Sequence, residues 1–230
     1  MFKLMVFTLL LIGTLTACGR VAAEDTVLTD VQSAKELYSE VLQSNIGFYY
    51  RGSLGNPYEN EYLMLGDYIA LFEELVYDET LSGTQFTAIL IESCDIPIIV
   101  LEIRPPNPGG RLILHYSDGS VYGYYQSFRS MRSIKTDGTS CWSGGAGFIG
   151  TSALRQSSGV LENIITSEST ASYIDGIRND SFFVYGEQVP EEIYRSFYEK
   201  HDQKDDVSWY AFSRETISEY FEMAWDDLIE

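Results

Sequence analysis

The sequence predicts an α+β fold: an antiparallel, hairpin-rich sheet flanked by N- and C-terminal amphipathic helices. Three observations predict it. Four apolar runs of strand length, Phe86–Ile91, Ile98–Ile103, Arg111–Tyr116 and Val121–Phe128, follow one another. Two Asp-Gly pairs, Asp118-Gly119 and Asp137-Gly138, lie between candidate strands and supply the positive φ of a tight hairpin turn. Apolar residues recur at helical spacing near both ends of the chain.

The first segment reads as export. Met1-Phe2-Lys3 is a short charged head, and Leu4 to Leu15 is almost wholly apolar but too short to span a bilayer. It ends in Leu15-Thr16-Ala17-Cys18, which resembles the bacterial lipobox. Small side chains there leave room for the peptidase, and the Cys18 thiol receives the diacylglycerol. Residues 1–17 are therefore expected to be a signal peptide and residues 18–28 a lipidated tether. Residues 29–230 are expected to form one domain on the outer face of the cytoplasmic membrane. The alternative is two lobes that divide near Gly159.

Asp30 caps the first helix, whose stripe is Val31, Ala34, Leu37, Tyr38, Val41 and Leu42. Phe48-Tyr49-Tyr50 suits a short strand, and Gly52 to Asn60 reads as a loop. A second helix is expected over about Glu61 to Leu75, with Leu65, Tyr68, Ile69 and Phe72 inward. Pro105 to Gly110 interrupts the strands as a long turn. Arg132–Lys135 and Ser140–Ser143 should pair around Asp137-Gly138, and Gly144 to Gly147 form a glycine-rich exit beside the sheet. Beyond it the periodicity weakens, and only Leu161–Ser167 and Ser181–Tyr185 suit strands.

Pro190, Glu191 and Glu192 open a helix with the stripe Ile193, Tyr194, Phe197 and Tyr198. Trp209 anchors the following segment. Ser213 caps the last helix, which buries Ile217, Tyr220, Phe221, Ala224, Trp225 and Leu228.

Charge narrows the partners. The formal net charge is −19, and cleavage before Cys18 removes one base, Lys3, and no acid, giving −20. Such a surface repels phosphate backbones, so nucleic acid is excluded as a partner. The charge is uneven. Arg104, Arg111, Arg129, Arg132 and Lys135 face only Asp118 between Arg104 and Thr136, whereas Glu187 to Glu230 holds 13 acids and 4 bases. The plain account packs the acidic helices near a basic sheet edge; the functional account is an anion-binding groove around Arg129 and Arg132.

Few groups suit catalysis. His115 sits at a strand end, and His201 at a helix end, where it would complement the C-terminal dipole. No G-x-S-x-G elbow occurs. The Gly144–Gly147 run lacks the Lys-Ser/Thr of a phosphate loop. In an exported protein Cys94 and Cys141 could pair or remain two separate thiols. No cofactor is expected. Strand alternation puts Tyr122 and Tyr124 on one face and Tyr125 on the other. Beside Gly123, that face would either stack on a sugar or peptide or belong to the core.

The segment His115 to Tyr124, Phe128-Arg129, Lys135 to Thr139, Ser143 to Ala146, Phe183 to Glu187 and Gln203 to Tyr210 together resemble motifs of uncharacterised surface lipoproteins of clostridia-like gut bacteria. The resemblance covers about Phe86 to Phe212 and implies a location and an architecture, with no assigned reaction. That family often carries an acidic D-x-D-G-D-G-x-P-E loop. Here the matching stretch, Leu90 to Ile98, keeps Pro97, but its only charged oxygens are on Glu92 and Asp95. Calcium takes six to eight oxygens, so the stretch reads as a plain turn without metal. The expected function is a lipid-anchored, non-catalytic module binding an unknown surface ligand or partner through Tyr122, Tyr124, Arg129 and Arg132. The alternative is a hydrolase of cell-wall or dietary polymers.

Overall fold

A computed structural model describes residues 28–54, 56–73, 84–103, 110–145 and 147–229. The signal peptide, Cys18 and the tether up to residue 27 lie outside the described residues, as does the turn at 104–109. The fold is α+β, with helices packed on mixed and antiparallel sheets.

Helix α1 covers residues 28–42, so Asp30, expected as its cap, lies inside its first turn. Strands β1 (Gly47–Ser53) and β2 (Asn56–Met64) form a hairpin, and α2 is Leu65–Glu73. Strands β3 (Gln85–Ile89), β4 (Ile98–Ile103), β5 (Gly110–Ser117) and β6 (Ser120–Ser127) follow. Then come β7 (Thr139–Gly145), β8 (Phe148–Ser157), β9 (Val160–Ile174), β10 (Ile177–Val184) and β11 (Glu187–Val189). The chain ends with α3 (Glu191–Asp202), β12 (Tyr210–Ala211), α4 (Arg214–Glu219), a π-helical turn at Tyr220–Ala224 and α5 (Trp225–Asp227).

The strands form two sheets. Sheet A has the order β12-β3-β4-β5-β6-β1-β2, and sheet B the order β11-β10-β9-β8-β7. Every pair is antiparallel except β1 with β6.

Sheet A is the middle layer. Ile99, Leu101, Ile103, Leu112 and Leu114 join Tyr38, Val41, Phe48, Phe221 and Trp225 in one core. The alternate residues Ile98, Val100 and Ile113 join Leu154 and Leu161 of sheet B in a second core. Burial on both faces explains why β4 and β5 are near-continuous apolar runs. Two charges interrupt them, Glu102 and Arg111, which lie opposite each other in the register. They form a buried ion pair in which Arg111 Nη2 stands 2.5 Å from Glu102 Oε2. Gly123 is required where it stands: a Cβ there would come within 2.4 Å of the Phe48 ring.

Four hairpins share one turn geometry. Asp118-Gly119, Ser158-Gly159, Asp175-Gly176 and Tyr185-Gly186 all carry positive φ at both central residues, as a type I′ turn requires. The turn at Asp137-Gly138 forms as expected, with Lys135 N–H donating to the Thr139 carbonyl. Its first arm is not a regular strand. Ile134 makes one bridge to Ser140, while β7 gives its ladder to β8.

Three expectations are corrected. The stretch from Gly52 to Asn60 is not a plain loop: it holds the end of β1 and the start of β2, and the helix expected from Glu61 begins at Leu65. Pairing with β1 holds this polar segment extended, a tertiary effect that outweighs local propensity. Where two strands were expected after Gly147, four run from Phe148 to Val189. Ile193, assigned to a buried stripe, is 54% exposed, and Tyr194 alone on α3's apolar stripe is fully inward. The last helix starts as expected, with Thr216 N–H donating to Ser213 Oγ at 3.1 Å.

Candidate functional site

Cross-strand register builds a row of side chains on the sheet-B side of sheet A. His115 of β5 is opposite Tyr122 of β6, Tyr122 is beside Tyr49 of β1, and Tyr49 is opposite Tyr62 of β2. The Tyr49 ring centroid lies 5.7 Å from that of Tyr122 and 5.2 Å from that of Tyr62. Tyr62 lies down over Gly47, whose N–H donates to its hydroxyl at 2.9 Å. A side chain at Gly47 would meet that ring at 2.7 Å, so the glycine makes the posture possible.

Arg51 completes the row. It stands two residues after Tyr49 and so shares its face. Its guanidinium carbon sits 3.8 Å from the Tyr122 ring centroid. Nε donates to Asn60 Oδ1 at 2.9 Å, and Nη1 donates to the Tyr124 hydroxyl at 3.3 Å. Among the described residues Arg51 has no acidic partner. A cation stacked on one ring and tied to another is held in a fixed pose.

The β8–β9 hairpin ends over the first member of the row. Gln156 N–H donates to Ser93 Oγ at 2.8 Å, and Gly159 lies against Ser117. His115 beneath it is fully buried. Burial pushes its pKa down to about 4; the Gln156 side chain opposes this and the Arg51 charge adds to it. The imidazole is therefore neutral at pH 7. The next three rings escape that cover: Tyr122 is half-buried, Tyr49 is 38% exposed and Tyr62 is 56% exposed.

The residues singled out from the sequence divide. Tyr122 and Tyr124 do share a face, and Arg51 joins them. Tyr124 is buried in the inter-sheet core, with its hydroxyl turned to Arg51. Arg129 and Arg132 are exposed on the β6–β7 connection, beyond the far end of β6. The rest of that strand, on the order of 17 Å of extended chain, separates them from Tyr122. The Arg132 carbonyl accepts from Arg111 Nη2 at 2.8 Å. Tyr49, Arg51 and Tyr62 escaped sequence reasoning. Their alternation within β1 and β2 was a usable signal once that stretch is recognised as a hairpin, but the parallel pairing of β1 with β6 has no local signature.

A second polar cluster ties α3 to the Asp137-Gly138 turn. Asp137 Oδ1 accepts from Thr139 Oγ1 at 2.6 Å, and Lys204 Nζ donates to Asp137 Oδ2 at 2.6 Å. His201 Nδ1 lies 3.1 Å from Thr139 Oγ1. Burial, with Lys204 and Lys135 adding, holds the His201 pKa below its ordinary value. So His201 is not the cation expected at the end of α3. That part falls to Lys135, which donates to the carbonyls of Asp202 and Lys204 and pairs with Asp206. This also joins one base of the Arg104–Thr136 stretch to the acidic C-terminal region.

Cys94 and Cys141 are free thiols, half-buried in separate places. Burial raises the pKa of both, so neither is an activated nucleophile. A cavity of about 250 Å³ lies where β3 meets the C-terminal segment, lined by Thr87, Val207, Tyr210, Tyr220 and Asp227 among others. Among the described residues no group of histidine, cysteine or acidic side chains is arranged to hold a metal ion. No helix among them is long and apolar enough to cross a membrane.

Comparison with protein-family models, with curated proteins and with solved structures finds no match to this chain.

Proposed function

We propose that the protein is a lipid-anchored, extracytoplasmic binding module that seats a ligand on the Tyr49–Tyr62–Tyr122 row without transforming it. The observation that carries this reading is the row itself: rings on three neighbouring strands, open to solvent and organised around a fixed arginine. Large exposed aromatics on a rigid sheet lose little conformational entropy on binding. Two further facts support a non-catalytic role. Both histidines are held neutral, and both thiols are held protonated. A general base works best near the operating pH, and neither imidazole is tuned there. Arg129 and Arg132 form a separate exposed basic site on this reading, not part of the row.

The anchor rests on the lipobox-like stretch ending at Cys18 and on the resemblance to surface lipoproteins. We also read α1 and the C-terminal segment as amphipathic flanks. Ala34, Tyr38 and Val41 point inward while Gln32, Glu36 and Glu40 stay exposed. Two experiments test the proposal. Cys18→Ala should release the protein from membranes that retain the wild type through a high-salt wash. A panel of saccharides and peptides should yield a binder whose affinity falls at least tenfold in Tyr49→Ala. Membrane retention of the alanine form, or binding indifferent to Tyr49, would overturn the corresponding half.

A further inference from the structure

We infer that the row takes a saccharide bearing a carboxylate, with the acid group on Arg51 and the sugar ring against Tyr49 and Tyr62; this rests on the ligand-binding reading above.

The charge comes first. Arg51 sits in a protein of net charge −19 without an acidic partner among the described residues. Two of its donors are committed, to Asn60 and to Tyr124, and its guanidinium carbon lies 3.8 Å from the Tyr122 ring centroid. Its Nη2 group has no protein acceptor among those residues. A guanidinium fixed in this way is preorganised for an oxyanion. Among the residues of the row Arg51 carries the one positive charge, because His115 is neutral at pH 7. A carboxylate monoanion balances that charge. A phosphate carries about −1.5 to −2 at pH 7 and would leave negative charge uncompensated in an already acidic protein. The row itself is made of strand residues, so its own donors to an anion are side chains.

The body of the ligand follows from the backbone. β5, β6 and β1 are each paired on both sides, so the centre of the row offers no free main-chain groups. An extended peptide gains its affinity by pairing with such groups. A pyranose needs none. Its C–H faces lie on aromatic rings, and its hydroxyls stay in water or meet tyrosine hydroxyls at the rim.

The test uses the mature protein in detergent and isothermal titration with three probes: a galacturonic acid oligomer, its methyl ester, and glucose 6-phosphate. The acid oligomer should bind, more weakly as salt rises. The methyl ester should bind at least tenfold more weakly, and glucose 6-phosphate more weakly than the acid. Arg51→Gln should lose the preference for acid over ester, and Arg51→Lys should keep part of it. A thermal melt of each variant shows whether it is folded. Equal binding of acid and ester, still lost in Tyr49→Ala, would overturn the carboxylate assignment and leave the binding reading intact. Tighter binding of glucose 6-phosphate would likewise overturn the carboxylate assignment. Binding of none of the three by folded wild type, or binding unaffected by Tyr49→Ala, would overturn both.

Discussion

In sheet A the central strands β4 and β5 are covered on both faces, by helices on one side and sheet B on the other. In sheet B, β9 and β10 run past their neighbours, and residues 172–173 and 175–180 stand exposed. The two sheets are held by different physics. Sheet A is fixed by buried apolar area. Sheet B is fixed more by its ladder, its type I′ turns and hydroxyl contacts such as Thr151 Oγ1 to Ser167 Oγ at 2.7 Å. The Tyr49–Tyr62–Tyr122 row lies where the two regimes meet, on sheet A at the margin of sheet B's cover.

The largest expected contrast is in truncation. Leu101→Ala and Ile113→Ala remove fully buried side chains and should each destabilise by about 2–5 kcal/mol. Tyr173→Ala on the exposed ribbon, at a residue 71% exposed, should change stability by no more than about 0.5 kcal/mol. Urea unfolding of the three variants checks this. Glu102→Ala, which leaves Arg111 charged in the inter-sheet layer, should cost about 3–5 kcal/mol. Replacing both members with well-packed apolar residues should recover most of that loss.

Acid should find the same layer. The unfolded chain takes a proton at an ordinary histidine pKa of 6.5, whereas native His115 takes one only at about 4. Between those values the unfolded state binds more protons, so stability rises with pH. The His115 contribution, on the order of 3 kcal/mol, is present above about pH 6.5 and is lost progressively by about pH 4. His201, also shifted down, acts in the same direction. Urea midpoints measured from pH 4.5 to 7 should fall toward acid, and His115→Phe should flatten that fall.

Glycine substitutions give the smallest contrast. Gly123→Ala drives a methyl into Phe48 and should cost about 1–3 kcal/mol. Gly176→Ala meets nothing within 4 Å, so only its φ of 79° is penalised, at about 1 kcal/mol. Thermal melts that rank the two in reverse would show that turn geometry matters more here than packing.

The same contrast explains what could be read from the sequence. β4 and β5 were legible because burial on both faces leaves near-continuous apolar runs, and β6 because Asp118-Gly119 sets it off from β5 as a hairpin. β8 and most of β9 were not, because Phe148–Val189 is rich in serine and threonine and shows little alternation. Asp175-Gly176 carries the same signal as Asp118-Gly119, but that turn was not among those expected. Of the row, Tyr122 could be found by strand alternation. Tyr49, Arg51 and Tyr62 could not, because their place beside Tyr122 depends on β1 pairing in parallel with a strand some 70 residues later. Lys135, taken as part of a basic edge, serves the end of α3 through contacts that no local pattern encodes.

The central claim is that the working surface is the exposed part of sheet A and not the exposed part of sheet B. Both present accessible tyrosines, so exposure alone does not separate them. The direct test is titration of a saccharide panel into full-length protein carrying either Tyr49→Ala with Tyr62→Ala or Tyr173→Ala with Ile177→Ala. The account predicts at least a tenfold loss of affinity for the first pair and none for the second. Loss confined to the second pair would contradict it.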